Sequence, residues 1–159
     1  MGLFSFKKNV GIKIFEGEKT AMLVAIETGM EKFEFENSAA KKLESIIESL
    51  QLHVEDLNIF IDTDVAVVSG LAQDQATKEK VVLVVGNSNG ISTVDDYMTV
   101  KNEASAAQFY TVRNGDTLKK IAEVYYGNAM NYSIIFEANK PMLNHPNDVY
   151  TGLVLRIPA

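Results

Sequence analysis

Side chains that commonly carry out catalysis are scarce in this sequence. The chain of 159 residues has no cysteine, and neither of its two histidines, His53 and His145, stands beside a recognisable nucleophile motif. The serine elbow of hydrolases, the paired histidines of zinc proteases and the glycine-rich phosphate loop are also missing from the sequence. Catalysis of these kinds needs a nucleophile, its base and an orienting group. We therefore expect a binding protein and not an enzyme.

Carboxylates are abundant, but their spacing does not favour a divalent metal site. The net charge is −6, with −7 over residues 1–100 and +1 over residues 101–159. The acidic first part argues against nucleic acid as a partner, because such binding needs basic residues that neutralise phosphates. The pair Asp95 and Asp96 could suggest Mg²⁺ or Ca²⁺, yet the alternating ligands and final glutamate of a calcium loop are missing. Most carboxylates are expected to be solvated surface groups.

The backbone offers another kind of cation site in the stretch VVGNSNGISTVDD, residues 84–96. Its glycines and asparagines tolerate turn conformations, and a helix that ends near Gly86 would leave carbonyl oxygens and a partial negative charge there. The stretch FSFKKNVG, which stops at Gly11, could provide a second helix end. Neutral carbonyls suit a weakly hydrated monovalent cation. From the residues alone, glycine caps satisfied by their own amides are the commoner explanation.

The sequence gives no sign of export or membrane insertion. Its N-terminus lacks a secretory pattern, because the lysines follow the first apolar residues and no long apolar core comes before a cleavage site. The longest apolar runs, AMLVAI and VVLVV, are far shorter than the roughly 20 residues of a membrane helix. We expect a cytoplasmic protein without stable membrane insertion.

The segments around the glycine-containing turn predict an α-β-β-α-β unit. A first helix is indicated by apolar residues at helical spacing and by two candidate N-caps; these are Leu43, Ile46, Ile47 and Leu50, with Asn37 or Ser38. LNIFID and VAVVSGLA, separated by Thr63 and Asp64, indicate a hairpin. Asp74 can cap a second helix in DQATKEKVVLVVG, for which a strand is the competing interpretation, and GISTVDDYMTV predicts a closing strand. This order predicts an α+β sandwich with both helices on one sheet face.

A small, polar stretch at residues 99–108, which we interpret as a linker, precedes a predicted β-α-α-β unit. FYTV and LVLRIP are the apolar strands at its two ends. Asp116 or Thr117 can cap the first helix, and Gly127 can stop it. NYSIIFEANK predicts the second helix, which Pro141 prevents from continuing.

Both units resemble known domain families. The hairpin with VAVVSGLA, the following helix and GISTVDD resemble the BON domain, a binding module. YTVRNGDTL, the Tyr-Gly pair before the second helix, IFEAN and GLVLRIP are similar to the LysM domain. Together with the opening MGLFSF, they resemble the small cytoplasmic BON–LysM potassium-binding proteins of bacteria over nearly the whole chain. The resemblance implies an N-terminal segment packing on the BON domain, the BON domain, a linker and the LysM domain, at residues 1–36, 37–98, 99–108 and 109–159.

The resemblance further implies that main-chain carbonyls hold a potassium ion. The matching positions are Lys7, Val10, Ile12, Gly86, Ser88 and Ile91. The alternative function is LysM binding of N-acetylglucosamine glycans such as peptidoglycan, at Gly115, Asp116, Thr117, Leu118, Asn139 and Pro141. The family implies a monomeric ion sensor in a stress response, whose downstream protein partner the sequence does not identify. Potassium is expected to order the N-terminal segment and to restrict movement of the LysM domain.

Overall fold

The computed structural model describes residues 2–8, 10–13 and 29–159, and its fold is of the α+β class that the sequence predicts. Predictions that concern residues 14–28 lie outside the described residues. The elements form two units; the N-terminal unit is residues 2–8, 10–13 and 29–102, and the C-terminal unit is residues 108–159. None of the helices in this described part of the chain is both long and apolar enough to cross a bilayer.

The N-terminal unit is a five-stranded sheet covered by two helices. Its elements are β1 (Gly2–Ser5), β2 (Ile12–Lys13), α1 (Gly29–Ser49), β3 (Val54–Asp62), β4 (Val65–Asp74), α2 (Gln75–Gly86), β5 (Ser88–Asn89), β6 (Thr93–Asp96) and β7 (Thr99–Asn102). The large sheet has the order β1-β6-β4-β3, with β7 also paired to β4, while β2 and β5 form a separate pair. Both helices share one apolar core with the sheet. The predicted α-β-β-α-β order is therefore present, with β1 added at the outside.

Helix α1 begins earlier than the sequence predicts. Asn37 and Ser38, the predicted N-caps, lie inside the helix and are exposed. The turn before them is held to the hairpin, because the Glu36 carboxylate accepts a 2.6 Å hydrogen bond from the Thr63 amide. Lys32, one helical turn earlier, lies 3.4 Å from the same carboxylate. The predicted cap position is wrong because contacts to the hairpin extend the helix beyond the local capping signal.

Helix α2 confirms the helix prediction for DQATKEKVVLVVG and excludes the competing strand. Asp74 is its N-cap, with a carboxylate oxygen that accepts a 2.8 Å hydrogen bond from the Thr77 amide. Every residue from Val81 to Gly86 is buried. The helix packs on β4 and also on the C-terminal unit. Its second half, from Val81 to Gly86, is therefore enclosed and can be apolar on all sides. Its β-branched residues are accommodated because packing outweighs local propensity.

The predicted hairpin is present, with β3 and β4 antiparallel around the turn at residues 63–64. The predicted closing strand is interrupted after Asp96, because its carboxylate accepts a 2.9 Å hydrogen bond from the Met98 amide. Strand β4 is ten residues long, so it pairs with β6 along its first half and with β7 along its second. Residues 99–102 of the predicted linker are therefore a strand, and residues 103–107 are left as the extended connection.

Strand β1 shows that the prediction of a helix end at Gly11 is wrong. The stretch FSFKKNVG begins in β1, which pairs antiparallel with β6 and places Gly2 opposite Asp96. Side chains along β1 alternate between half-buried and exposed, as expected for a strand at the outside of a sheet. Phe4, one of the half-buried residues, packs on Phe109 with 5.2 Å between ring centroids. The helix prediction failed because the partner of this strand is distant in the sequence.

The C-terminal unit has the predicted β-α-α-β order. Its elements are β8 (Gln108–Thr111), α3 (Leu118–Tyr126), a 3-10 helix (Ala129–Asn131), α4 (Tyr132–Ala138) and β9 (Val154–Ile157). Strands β8 and β9 pair antiparallel. Thr117 caps α3 by accepting a 3.2 Å hydrogen bond from the Lys120 amide, and Gly127 ends the helix in the left-handed conformation. Local signals suffice here because each cap acts on its own neighbours.

Candidate cation site at the end of helix α2

The N-terminal segment meets the glycine-containing turn directly after helix α2. The Gly90 amide donates a 2.7 Å hydrogen bond to the Lys8 carbonyl. Strands β2 and β5 pair in parallel, with Ile12 opposite Ser88. We refer to this place as the junction; it consists of residues 6–8, 10–12 and 86–92. Two segments that are 74 positions apart, from Ile12 to Gly86, therefore lie side by side.

The carbonyl of Gly86 lies at the C-terminal end of α2, where the helical hydrogen bonds stop. In a continuing helix it would accept the Gly90 amide, but that amide donates to Lys8 instead. The last turn of α2 contains no basic residue. The partial negative charge of the helix end is therefore not offset by a lysine or arginine of the helix itself, and this end attracts a cation.

Ser88 is fully buried and uses its hydroxyl inside the protein. The hydroxyl donates a 2.8 Å hydrogen bond to the Val84 carbonyl, which caps the end of α2. The Ser88 carbonyl lies 3.2 Å from the Ile91 amide that donates to it. The hydroxyl proton is therefore used at the end of α2, and the Ser88 carbonyl faces the following turn.

Gly11 lets the two sides of the junction come into contact. Its φ angle of +100° is unfavourable for residues with a side chain. A Cβ atom added to Gly11 would lie 1.3 Å from the Asn87 carbonyl oxygen, far inside any permitted contact. Any larger residue at this position would therefore separate the N-terminal segment from the turn.

Gly86 is a glycine for another reason than the one that the sequence suggests. The described positive-φ glycines do not include it, and it is the final residue of α2. An added Cβ atom would lie 2.1 Å from the Phe6 ring, which packs against the backbone of Gly86. Phe6 is also held by its amide, which donates a 2.8 Å hydrogen bond to the Ser92 carbonyl. The close approach of the N-terminal segment explains this glycine.

The remaining predicted carbonyl donors also lie at the junction. The Val10 amide points to the Lys7 carbonyl at 3.4 Å, which forms a loose turn between the two. Both side chains contact the C-terminal unit, because a Cβ atom added to Gly152 would lie 3.0 Å from Val10 and 3.2 Å from Lys7. Ile91, on the other side of the junction, is fully buried. All six predicted positions are therefore junction residues.

Carboxylates near the junction have partners of their own. Asp64 accepts a 2.8 Å hydrogen bond from the Ser92 hydroxyl and lies 3.4 Å from the Lys8 ammonium; the hydroxyl mainly, and the ammonium in addition, hold its pKa below the ordinary value. Asp96 is 1% exposed and lies 3.4 Å from Lys78, and burial raises its pKa. In residues 2–8, 10–13 and 29–159, no three acidic or histidine side chains form a group that could hold a metal ion.

The predicted glycan-binding positions have structural explanations. Asp116 accepts hydrogen bonds from the Tyr110 hydroxyl at 2.5 Å and the Arg113 amide at 2.9 Å, and these hold its pKa below the ordinary value. Asn139 is fully buried, and its side chain pairs with both the amide and the carbonyl of Arg156. A turn glycine, the α3 cap, a core residue and the first proline after α4 complete the set; these are Gly115, Thr117, Leu118 and Pro141. Turn formation and packing account for these residues.

Asn87 is a junction residue that the sequence analysis did not single out. Its side chain donates a 2.9 Å hydrogen bond to the Val154 carbonyl and accepts a 2.8 Å hydrogen bond from the Val154 amide. This pairing ties the junction to strand β9. A second tie joins the Glu79 carboxylate of α2 to the Arg156 guanidinium of β9 at 2.5 Å. An asparagine beside a glycine indicates a turn, and no local signal reveals a partner 67 residues away.

A cavity of about 360 Å³ lies between the two units beside these ties. Its walls are mainly apolar and include Leu50, Val84, Met142 and Leu153. Among the described residues, no deeply buried side-chain nitrogen or oxygen lacks a hydrogen-bond partner. Because the cavity is lined mainly by apolar side chains, we place the candidate cation site at the junction.

The chain matches one domain family and is similar to two known proteins. Residues 110–158 match the LysM domain family. The chain is similar to a protein of Escherichia coli O6:H1 named potassium binding protein Kbp, with 42% identity over 159 residues and 99% of each chain covered. It is also similar to an uncharacterized protein of Deinococcus radiodurans, with 43% identity over 59 residues, which are 37% of this chain and 22% of that protein.

Proposed function

We propose that this chain, which belongs to the family of the Escherichia coli potassium binding protein, binds K⁺ through backbone carbonyls at the junction. The proposed ligands are the six predicted carbonyls, of Lys7, Val10, Ile12, Gly86, Ser88 and Ile91. We refer to these oxygens as the carbonyl site. In this proposal the protein is a binding protein whose side chains perform no catalysis.

The observation that supports this proposal most directly is the contact between the N-terminal segment and the turn after α2. The Gly90–Lys8 hydrogen bond and the β2–β5 pair bring together the two short backbone segments that carry the six proposed carbonyls. Carbonyl oxygens replace the hydration shell of a weakly hydrated monovalent ion, whereas divalent ions normally recruit carboxylates. The C-terminal end of α2, whose last turn has no basic residue, adds negative potential.

Calorimetry tests the choice of ion. Titration with KCl is expected to give saturable binding, while NaCl and MgCl₂ at equal ionic strength give none over the same range. Ser88→Ala is expected to change the potassium Kd by less than about threefold, because the lost hydroxyl bonds Val84 and not the ion. Asp95→Asn is the matched test for a carboxylate ligand and is expected to behave in the same way. Absence of saturable potassium binding, or its loss in Asp95→Asn, would contradict the proposal.

Potassium is also expected to order the N-terminal segment. Carbonyl groups that face a common point repel one another without a cation, so an ion that binds the assembled junction shifts the population towards it. Exchange of the Phe6 and Gly90 amides should therefore slow in KCl relative to NaCl, because both donate across the junction. The Thr77 amide, which caps the other end of α2, is the internal control and should be unaffected. Equal exchange of Phe6 and Gly90 in both salts would refute this ordering.

A further inference from the structure

Strand β9 is paired on one side with β8 and on its other side with two asparagine side chains. Val154 and Arg156 are two residues apart, so their backbone polar groups point to the same side of the strand. Asn139 pairs with the amide and carbonyl of Arg156 from within the C-terminal unit. Asn87 pairs with the amide and carbonyl of Val154 from the junction. On this side of β9, the hydrogen bonds of Val154 are therefore supplied by a residue of the N-terminal unit.

Asn87 is connected to the carbonyl site by the chain itself. It stands between Gly86 and Ser88, two of the proposed ligands, and its own carbonyl is in close contact with Gly11. Its side chain is 8% exposed and directed into β9. A change in the peptide planes of the turn must therefore move the amide that pairs with Val154.

We propose that Asn87 is the positioning residue that couples occupation of the carbonyl site to docking of the C-terminal unit. This inference rests on the proposed function. An ordered turn holds the Asn87 amide in the orientation that completes β9, whereas a turn without the ion leaves that orientation free to vary. Coupling of this kind is reciprocal, so docking of the C-terminal unit also strengthens ion binding by the same factor.

Other contacts between the units differ in their distance from the turn. Glu79 and Arg156 form their ion pair two helical turns before the end of α2, whereas Phe4, which meets Phe109, stands only two residues before Phe6 of the junction. The Glu79–Arg156 pair therefore contributes to docking whether or not the turn is ordered. Lys7 and Val10 reach the C-terminal unit from the junction by packing near Gly152, whereas the Asn87 side chain forms hydrogen bonds with β9.

Spin labels on the full chain test this coupling. The native sequence has no cysteine, so Ser45→Cys and Glu123→Cys place one exposed label on α1 and one on α3 without competing thiols. Potassium is expected to narrow the distance distribution in the labelled parent. Asn87→Ala should keep the distribution broad in KCl while potassium binding remains saturable and about five- to tenfold weaker, at the low end of ordinary coupling factors.

Two further variants separate coupling from general damage. Asn37→Ala exchanges an exposed asparagine of α1 outside the junction and leaves the Val154 pairing intact, so its distance distribution should narrow in KCl as that of the parent does. Asn87→Asp has almost the same size and can still accept the Val154 amide, but it cannot donate to the Val154 carbonyl. The distance distribution of Asn87→Asp should therefore remain broad in KCl, like that of Asn87→Ala.

The outcomes are distinguishable. If the distance distribution of Asn87→Ala narrows in KCl as that of the parent does, the inference is wrong and the proposed function stands. If Asn87→Ala folds but shows no potassium binding at all, Asn87 belongs to the ion site itself and the coupling role is wrong. If the labelled parent binds no potassium, the proposed function fails and the inference fails with it.

Discussion

Exchange of Gly11 for alanine is expected to abolish potassium binding over the range in which the parent protein saturates. The new Cβ atom would lie 1.3 Å from the Asn87 carbonyl oxygen, and the left-handed φ of +100° would be strained as well. The contact is with backbone and not with the end of a flexible side chain, so the N-terminal segment must move away from the turn. We expect the Kd to rise at least about 100-fold, equivalent to about 2.8 kcal/mol. Calorimetry with KCl measures this directly.

Gly115→Ala is the matched control for this prediction. Gly115 also has a positive φ, of +83°, but nothing lies within 4 Å of its added Cβ atom. The exchange should cost about 1–2 kcal/mol of stability from backbone strain alone and leave the potassium Kd unchanged. If Gly11→Ala binds potassium as tightly as Gly115→Ala, the ion does not depend on contact between the two sides of the junction, and the carbonyl site is wrongly assigned.

Glu79→Ala is expected to have the largest effect on stability. The Glu79 carboxylate accepts hydrogen bonds from the Arg156 guanidinium at 2.5 Å, the Ala107 amide at 3.0 Å and the Gln75 amide group at 2.9 Å. The Glu79 and Arg156 side chains are 6% and 14% exposed, so removal of one partner leaves a nearly buried charge without compensation. We expect a loss of about 3 kcal/mol in the free energy of unfolding, measured by urea titration.

An exposed ion pair gives the comparison for Glu79. Glu137 lies 2.7 Å from Lys140, but the two side chains are 64% and 45% exposed. Solvent screens such pairs, so Glu137→Ala should change the free energy of unfolding by less than about 1 kcal/mol. Equal losses in the two variants would show that the Glu79–Arg156 contact is no stronger than a surface pair and does not hold the units together.

The parts of the fold that the sequence predicts are those with local causes. Asp74 and Thr117 cap the first turns of their own helices, and Gly127 ends α3, so neighbours alone determine these boundaries. The hairpin at residues 63–64 is likewise fixed by the segments beside it. The helical turn before Asn37 could not be predicted, because its contacts, such as the bond from Thr63 to Glu36 across 27 positions, come from a distant part of the chain.

The candidate site shows the same limit. Glycine and asparagine residues indicate the turn after α2, because these residue types favour turn conformations of their own backbone. Strand β1 and the ion pair of Glu79 with Arg156 leave no local pattern, since their partners come from distant parts of the chain. The sequence also singles out Gly86, but the reason for glycine at this position is not local. The Phe6 ring, and not the φ angle of Gly86, excludes a side chain there.

The two asparagines on β9 have a consequence for self-association. An unpaired strand edge offers amides and carbonyls on which a second chain can add a strand and begin aggregation. In this protein the side chains of Asn87 and Asn139 pair with the amides and carbonyls of Val154 and Arg156, so this edge of β9 is not available to a strand of a second chain. In our proposal the units separate without potassium, and the amide and carbonyl of Val154 then lose their pairing with Asn87. Potassium binding would then increase the solubility of the protein as well as bring its two units together. The ion-free chain would be the form that aggregates most readily.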